Sequence, residues 1–124
     1  VQPVLDGKEL MEIHQWVRAM PVSQQVVHYA VRLVSSTRPE THLATEAVKA
    51  YVRWGAGPRA SQYLILGAKG RAAMQGKPCA DFEDVRSVAF AILNHRVLLN
   101  FKAKAQKIEF AEILESCLKQ TPES

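Results

Sequence analysis

Arg53-Trp54-Gly55-Ala56-Gly57-Pro58-Arg59-Ala60-Ser61 is the stretch around which the chain is organised. Two glycines release the backbone from the usual steric limits. Pro58 presets a helical φ and gives up an N–H that would have no partner in a first helical turn. A long apolar-rich run follows. The stretch therefore predicts a sharp turn into the start of a helix, with Arg59 in its first turn. A helix start carries partial positive charge and prefers acids. An arginine placed there either points into solvent or faces an anion such as a phosphate. From these residues alone, the solvent-facing arginine is the plainer reading.

Working outward, Val48, Ala50, Val52 and Trp54 alternate with Lys49, Tyr51 and Arg53, the period of a short strand leading into the turn. Glu40 to Ala47 is polar and reads as a loop. Before it, Ser23 is a good cap for a helix to about Ser36, closed by Arg38-Pro39. Val26, Val27, Ala30, Val31, Leu33 and Val34 give that helix a broad apolar face. Several of these residues are β-branched, so packing rather than propensity must hold it. Nearer the start, Val1 to Leu5 reads as extended, and Asp6 with Glu9 forms a capping-box pattern. Leu10, Ile13, Val17 and Met20 share a helical face flanked by Trp16, and Pro21 ends it.

Beyond the turn, a helix is expected from Pro58 to Gln75, with Ala60, Tyr63, Leu64, Gly67, Ala68 and Ala72 on one face. Its glycines and alanines suit close approach to another helix, at about 1 kcal/mol of propensity per glycine. Gly76 is a natural stop. Lys77 to Ala80 could lie extended beside the earlier strand. Asp81 caps the next helix, with Glu83 and Asp84 matching its dipole. Val85, Val88, Ala89, Ile92 and Leu93 form its apolar face, and His95-Arg96 ends it. Asn100 to Lys107 is basic and poorly periodic, which reads as a loop. A last helix spans about Glu109 to Gln120, burying Phe110, Ile113, Leu114, Cys117 and Leu118, and Pro122 to Ser124 should fray.

The 124 residues suffice for one domain with a modest core, and 48% of them are hydrophobic. No apolar run reaches membrane-spanning length, and no signal-peptide pattern precedes the fold. The chain begins at Val1, as though cut from something longer. Cys79 and Cys117 have neither metal nor redox spacing, so both read as buried free thiols in a reducing cytoplasm. The net charge of +4 permits an acidic partner without demanding one.

Gly70 to Lys77 resembles a phosphate-binding P-loop at first glance. It has five residues between its glycines rather than four, and Pro78 stands where Ser or Thr is required. It also ends a helix instead of starting one, which excludes it. His14, His28, His42 and His95 pair with nothing at ligand spacing and read as surface or packing residues. No nucleophile motif is present, so the chain alone should not be catalytic. Lys102, Lys104 and Lys107 could touch nucleic acid, but only Phe101 and Phe110 lie near them, and a solvated loop is the plainer reading.

At Gly55-Ala56-Gly57-Pro58-Arg59-Ala60 the chain resembles the G-A-S-P-R-A signature of the C-terminal lid domain of MoxR-type AAA+ ATPases. The resemblance extends over nearly the whole chain. It includes Pro21-Val22-Ser23, Val31-Arg32-Leu33-Val34, Thr37-Arg38-Pro39, Asp84-Val85 and His95-Arg96, in the family's order. It implies an all-α lid of about five helices over residues 1–124, with room for a minimal two-stranded β element. It implies that Arg59 is the sensor 2 arginine reaching the terminal phosphate of ATP, with Gly57 and Pro58 beside it as cofactor-binding positions. Gly57 departs from the family, which usually has serine there; this removes a cap hydroxyl and loosens the turn.

By the same resemblance, the P-loop, magnesium-binding acids and arginine finger belong to an ATPase core absent from this chain. ATP with magnesium would bind the intact protein, and none is expected on the isolated domain. The implied partners are that core, a ring homo-hexamer and a protein client, in a cytoplasmic, chaperone-like ATP hydrolase. No membrane partner is implied. A helical nucleic-acid-binding module is the alternative from another class.

Overall fold

The computed structural model describes residues 15–123. The extended segment Val1–Leu5, the Asp6–Glu9 capping box, Leu10, Ile13 and His14 lie outside the described residues. Helix α1 covers 15–19 and stops before Pro21. Helix α2 (Gln24–Ser36) is capped as its sequence predicts: the Ser23 hydroxyl accepts from the Val26 amide at 3.2 Å. Its buried stripe is Val26, Tyr29, Ala30, Leu33 and Val34, the i, i+3, i+4 pattern of a core-facing helix.

The segment read as a strand is helical for most of its length. Helix α3 (Glu46–Tyr51) starts inside the expected loop, where the Thr45 hydroxyl accepts from the Val48 amide at 3.2 Å. Only Val52–Trp54 is extended, as β1. The alternation was ambiguous, because Val48, Tyr51 and Val52 also stand at helical spacing. A cap at Thr45 with Glu46 in the first turn decides between the two periods.

Strand β1 does not run beside Lys77–Ala80. It pairs antiparallel with β2 (Leu98–Leu99), Val52 opposite Leu99 and Trp54 opposite Leu98, with an irregularity between. Ala80 instead forms an isolated parallel bridge with Val22. The expected loop at Asn100–Lys107 holds a short helix, α6 (Phe101–Ala105). Asn100 organises this corner. Its amide donates to Tyr51 O at 2.9 Å, its Nδ2 to Ala50 O at 2.8 Å, and its Oδ1 caps α6 through the Ala103 amide.

Helices α4 (Ala60–Met74) and α5 (Phe82–Leu93) make the most extensive contact in the fold. Ala60, Leu64, Ala68 and Ala72 form the buried line of α4; Val85, Ala89 and Leu93 form that of α5. Val88 is half-buried and sits over Gly67, where an added Cβ would lie 3.3 Å from Val88 Cγ2. Gly76, at φ +72°, ends α4 with the bonds Lys77 N–H to Ala72 O and Gly76 N–H to Ala73 O, a Schellman motif. Helix α7 (Phe110–Gln120) buries Phe110, Ile113, Leu114 and Cys117. Cys117 is therefore buried, and burial pushes its thiol pKa up, but Cys79 is exposed rather than buried.

The turn between β1 and α4 is clamped to the end of α2. The Thr37 hydroxyl donates to Val34 O at 2.6 Å and accepts from the Ala56 amide at 3.1 Å. Arg38 Nε donates to Ala56 O at 2.7 Å, and Ala56 is fully buried. A Cβ on Gly55 would stand 2.5 Å from Thr37 O and 2.6 Å from Arg38 Cα. Gly55 is required for space rather than for φ. Gly57 has open space around it and no positive φ.

Asp84 is a buried charge that the sequence presented only as a first-turn acid. Its Oδ2 accepts from the Asp81 amide at 2.9 Å, closing a capping box, and its Oδ1 meets Arg71 at 2.6 Å and Lys77 at 3.1 Å. Burial opposes ionisation and is the largest single influence on the group. The bonds from Asp81, Lys77 and Arg71 together outweigh it and hold the carboxyl below its ordinary value. Lys77, the last residue of the false P-loop match, is thereby engaged with Asp84.

The two glycines of the turn should separate in stability. Gly55→Ala should cost more than about 2 kcal/mol in thermal melting, because backbone atoms of Thr37 and Arg38 block its Cβ. Gly57→Ser should be neutral or stabilising by about 0.5 kcal/mol through the unfolded chain. A depressed folded-state pKa stabilises above the unfolded value, so the Asp84 contribution is complete above about pH 4 and lost as pH falls through the folded pKa. Asp84→Asn should cost about 2 kcal/mol at pH 7 and abolish that part of the acid loss, measured by melting from pH 7 to pH 2.

Candidate functional site

The clamp aims the start of α4. Pro58 and Arg59 form a turn ahead of the helix, and Ala60 N–H bonds back to Gly57 O at 3.1 Å. The helix thus begins after Arg59, which occupies the N-cap with αR backbone and no side-chain capping bond. Pro58, expected as the first helical residue, instead lies two positions ahead of Ala60, before the N-cap. Ser61 Oγ turns back to Pro58 O at 3.0 Å and does not cap the amides. Beyond Ala60, the amides of Ser61 and Gln62 have no carbonyl of a preceding helical turn to meet, so this end of the 15-residue helix carries positive potential.

Gly57, Pro58, Arg59, Ala60, Tyr63 and Arg96 line an open cleft of about 520 Å³. Arg59 is exposed and has no carboxylate partner among the described residues. Arg96 comes from just beyond α5. Its guanidinium lies over the Tyr63 ring, 4.6 Å from the centroid, and Nη1 donates to Ile92 O at 2.6 Å. Among the described residues, no acid lines the cleft. Its donors suit an oxyanion. They do not suit a metal, and no group of three His, Cys, Asp or Glu suitable for one occurs among the described residues.

The structure thus brings Gly57, Pro58 and Arg59 together at one cleft. Sequence reasoning missed Tyr63 and Arg96 there. The helical spacing puts Tyr63 on the buried face of its helix, yet it is 40% exposed, and His95-Arg96 reads only as a helix end. The available signal was topological. Short connections make α4 and α5 antiparallel, which sets the first turn of one beside the last turn of the other. His28, His42 and His95 are exposed and remote from ligand geometry.

A family model for the AAA lid domain matches residues 44–117. The chain belongs to that family. Its likeness is to MoxR-type members. The chaperone MoxR1 of Mycobacterium tuberculosis is 32% identical over 105 residues, covering 85% of this chain and 28% of that protein. A solved structure from Cytophaga hutchinsonii, described as a "putative ATPase", superimposes with TM-score 0.90 at 31% identity, covering 98% of this chain and 37% of that one. The AAA lid accordingly spans about a third of these relatives' lengths. The helical architecture with its small antiparallel ribbon agrees with the expected all-α lid. Among the described residues, no helix is long and apolar enough to cross a membrane.

Arg59 and Arg38 flank the same turn with opposite roles. Arg59→Ala should change lid stability by less than about 0.5 kcal/mol, as exposed substitutions usually do. Arg38→Ala removes the bond to Ala56 O and should cost about 1–2 kcal/mol. Parallel melts of the two variants check the contrast.

Proposed function

We propose that residues 1–124 form the sensor 2 lid of a MoxR-type AAA+ ATPase, in which Arg59 contacts the terminal phosphate of ATP. The observation that carries this reading is an arginine that, among the described residues, has no carboxylate partner and stands at the start of a long helix in a cleft lined by no acid. A free guanidinium at a helix N-terminus is electrostatically costly alone and favourable beside an anion. Gly57 and Pro58 shape the approach, and the α2 clamp fixes its direction.

In this reading the ATPase core on the same polypeptide supplies the P-loop and the acids that hold magnesium. ATP with magnesium provides the phosphoryl group whose charge the lid senses. Phosphoryl transfer rests chiefly on positioning and electrostatic stabilisation, so an arginine on a separate lid can couple nucleotide state to domain motion. The intact protein would be a ring homo-hexamer acting on a protein client in the cytoplasm, as a chaperone-like ATP hydrolase. The isolated lid would neither hydrolyse ATP nor hold it tightly. The nucleic-acid alternative has less behind it, since Lys102 lies over the Tyr51 ring at 5.6 Å and the exposed acids Glu109 and Glu112 follow directly after the basic stretch.

The test is steady-state ATPase turnover of the full-length protein. Arg59→Ala should slow turnover roughly a hundredfold, about 3 kcal/mol of transition-state stabilisation. Arg59→Lys should rescue poorly, because lysine keeps the charge but loses the forked donor geometry. Unchanged turnover in the alanine variant rejects the sensor role.

A further inference from the structure

We propose that Arg96 is a second phosphate-contacting cation of the same cleft, held in place by Tyr63. The lid would then present two guanidinium groups to a polyphosphate chain, one anchored and one free. The proposal rests on the nucleotide-facing reading of Arg59 and names a residue to which that reading gives no role.

Arg96 is held at two points. Its guanidinium stacks over Tyr63 at 4.6 Å, and one Nη1 donor reaches Ile92 O at 2.6 Å. Stacking on an aromatic face is attractive for a cation and fixes the plane of the group. A guanidinium has five N–H donors, and this bond engages one of them. The remaining in-plane edge is free to meet a phosphate oxygen, and little rotamer entropy is left to lose on binding. Arg59 shares the cleft without any such anchor.

Elsewhere, among the described residues, five cations are joined to acids, whereas others such as Arg53 and Lys104 are exposed without one. Arg71 and Lys77 meet Asp84, Arg86 meets Glu123, Lys119 meets Glu115 and Lys49 meets Glu46. At this cleft two arginines stand with no acid in the lining and none bridged to either among the described residues. Like charges in one cleft repel, and an anion between them reverses the sign of the interaction. A purely structural Arg96 would cap the carbonyl end of α5. That role accounts for the Ile92 bond, but for neither the half-exposed Tyr63 platform nor the neighbouring Arg59.

The experiment titrates the 124-residue chain with inorganic tripolyphosphate and follows the arginine side-chain Nε–Hε resonances by NMR. The resonances of Arg59 and Arg96 should move together and saturate with one apparent Kd. Arg96→Gln should weaken that Kd at least threefold. Tyr63→Leu, which keeps Arg96 but removes its platform, should weaken it and shrink the Arg96 response while the Arg59 response persists. Arg53→Gln, an exposed arginine on β1 outside the cleft, should leave the titration unchanged. An Arg96 resonance that stays still while Arg59 moves overturns this inference and leaves the sensor reading standing. Two still resonances overturn this inference, while the sensor reading, which asks for no tight binding by the isolated lid, stands or falls on the turnover of Arg59→Ala in the full-length protein. Equal weakening by Arg53→Gln marks diffuse attraction to a basic chain and also overturns it. A loss of melting temperature in Arg96→Gln with unchanged Kd assigns Arg96 to the helix cap alone.

Discussion

The contact of Gly55 and Ala56 with Thr37 and Arg38 is the constraint on which the arrangement of the lid depends. It joins segments 18–19 residues apart and leaves no room for a side chain at 55. One hydroxyl performs two tasks, since Thr37 Oγ1 satisfies a carbonyl at the end of α2 and the buried amide of Ala56. Val34 O also accepts from the Thr37 amide, so it is the buried Ala56 amide that would bear the full desolvation cost of an unmade bond. The direction of α4, and with it the position of Arg59, is therefore set from α2. The residues of the turn do not set it alone. This explains why a turn rich in glycine can still place an arginine: its rigidity comes from outside.

The same dependence shows what was legible in the sequence. The caps at Ser23 and Asp81, the stop at Gly76 and the centres of the buried stripes of α5 and α7 are local signals, and each appears where the residues place it; the α2 face is turned, with Tyr29 fully buried and Val31 46% exposed. The errors fall where local signals are degenerate. Val48 to Trp54 fits a helix and a strand period equally, and the choice is made by Thr45 and by packing against α6 and α7. Asn100 looks like a loop residue until its partners at Ala50 and Tyr51 are known. Asp84 resembles any first-turn acid, because the cations that bury it lie 7 and 13 residues away. At the candidate site, Arg59 was readable from its turn. Arg96 was not: His95-Arg96 belongs to the family resemblance, but nothing in that segment shows that the antiparallel pairing of two helices carries Arg96 to Tyr63.

That pairing also organises the charges. At the end where α4 finishes and α5 begins, each helix dipole meets its complement. Asp81 and Asp84 sit at the start of α5, and Arg71 and Lys77 lie at the close of α4. The four groups interlock, with Asp84 sealed between the two cations. This end is electrostatically complete and calls for no ligand.

The opposite end is built differently. Side by side, the positive start of α4 and the negative finish of α5 would largely cancel. Arg96 prevents this by covering a terminal carbonyl of α5 with a cation, through its bond to Ile92 O. Arg59 then adds a second positive charge at the start of α4, against the preference of the helix dipole. A domain that balances its charges at one end of a helix pair and accumulates one sign at the other has left the second end to be completed from outside. A nearby anion would restore the balance that Asp84 supplies internally at the far end. On the proposed reading, the two ends of α4 and α5 divide the tasks of the lid: one holds the helices together, and the other would present them to an anion.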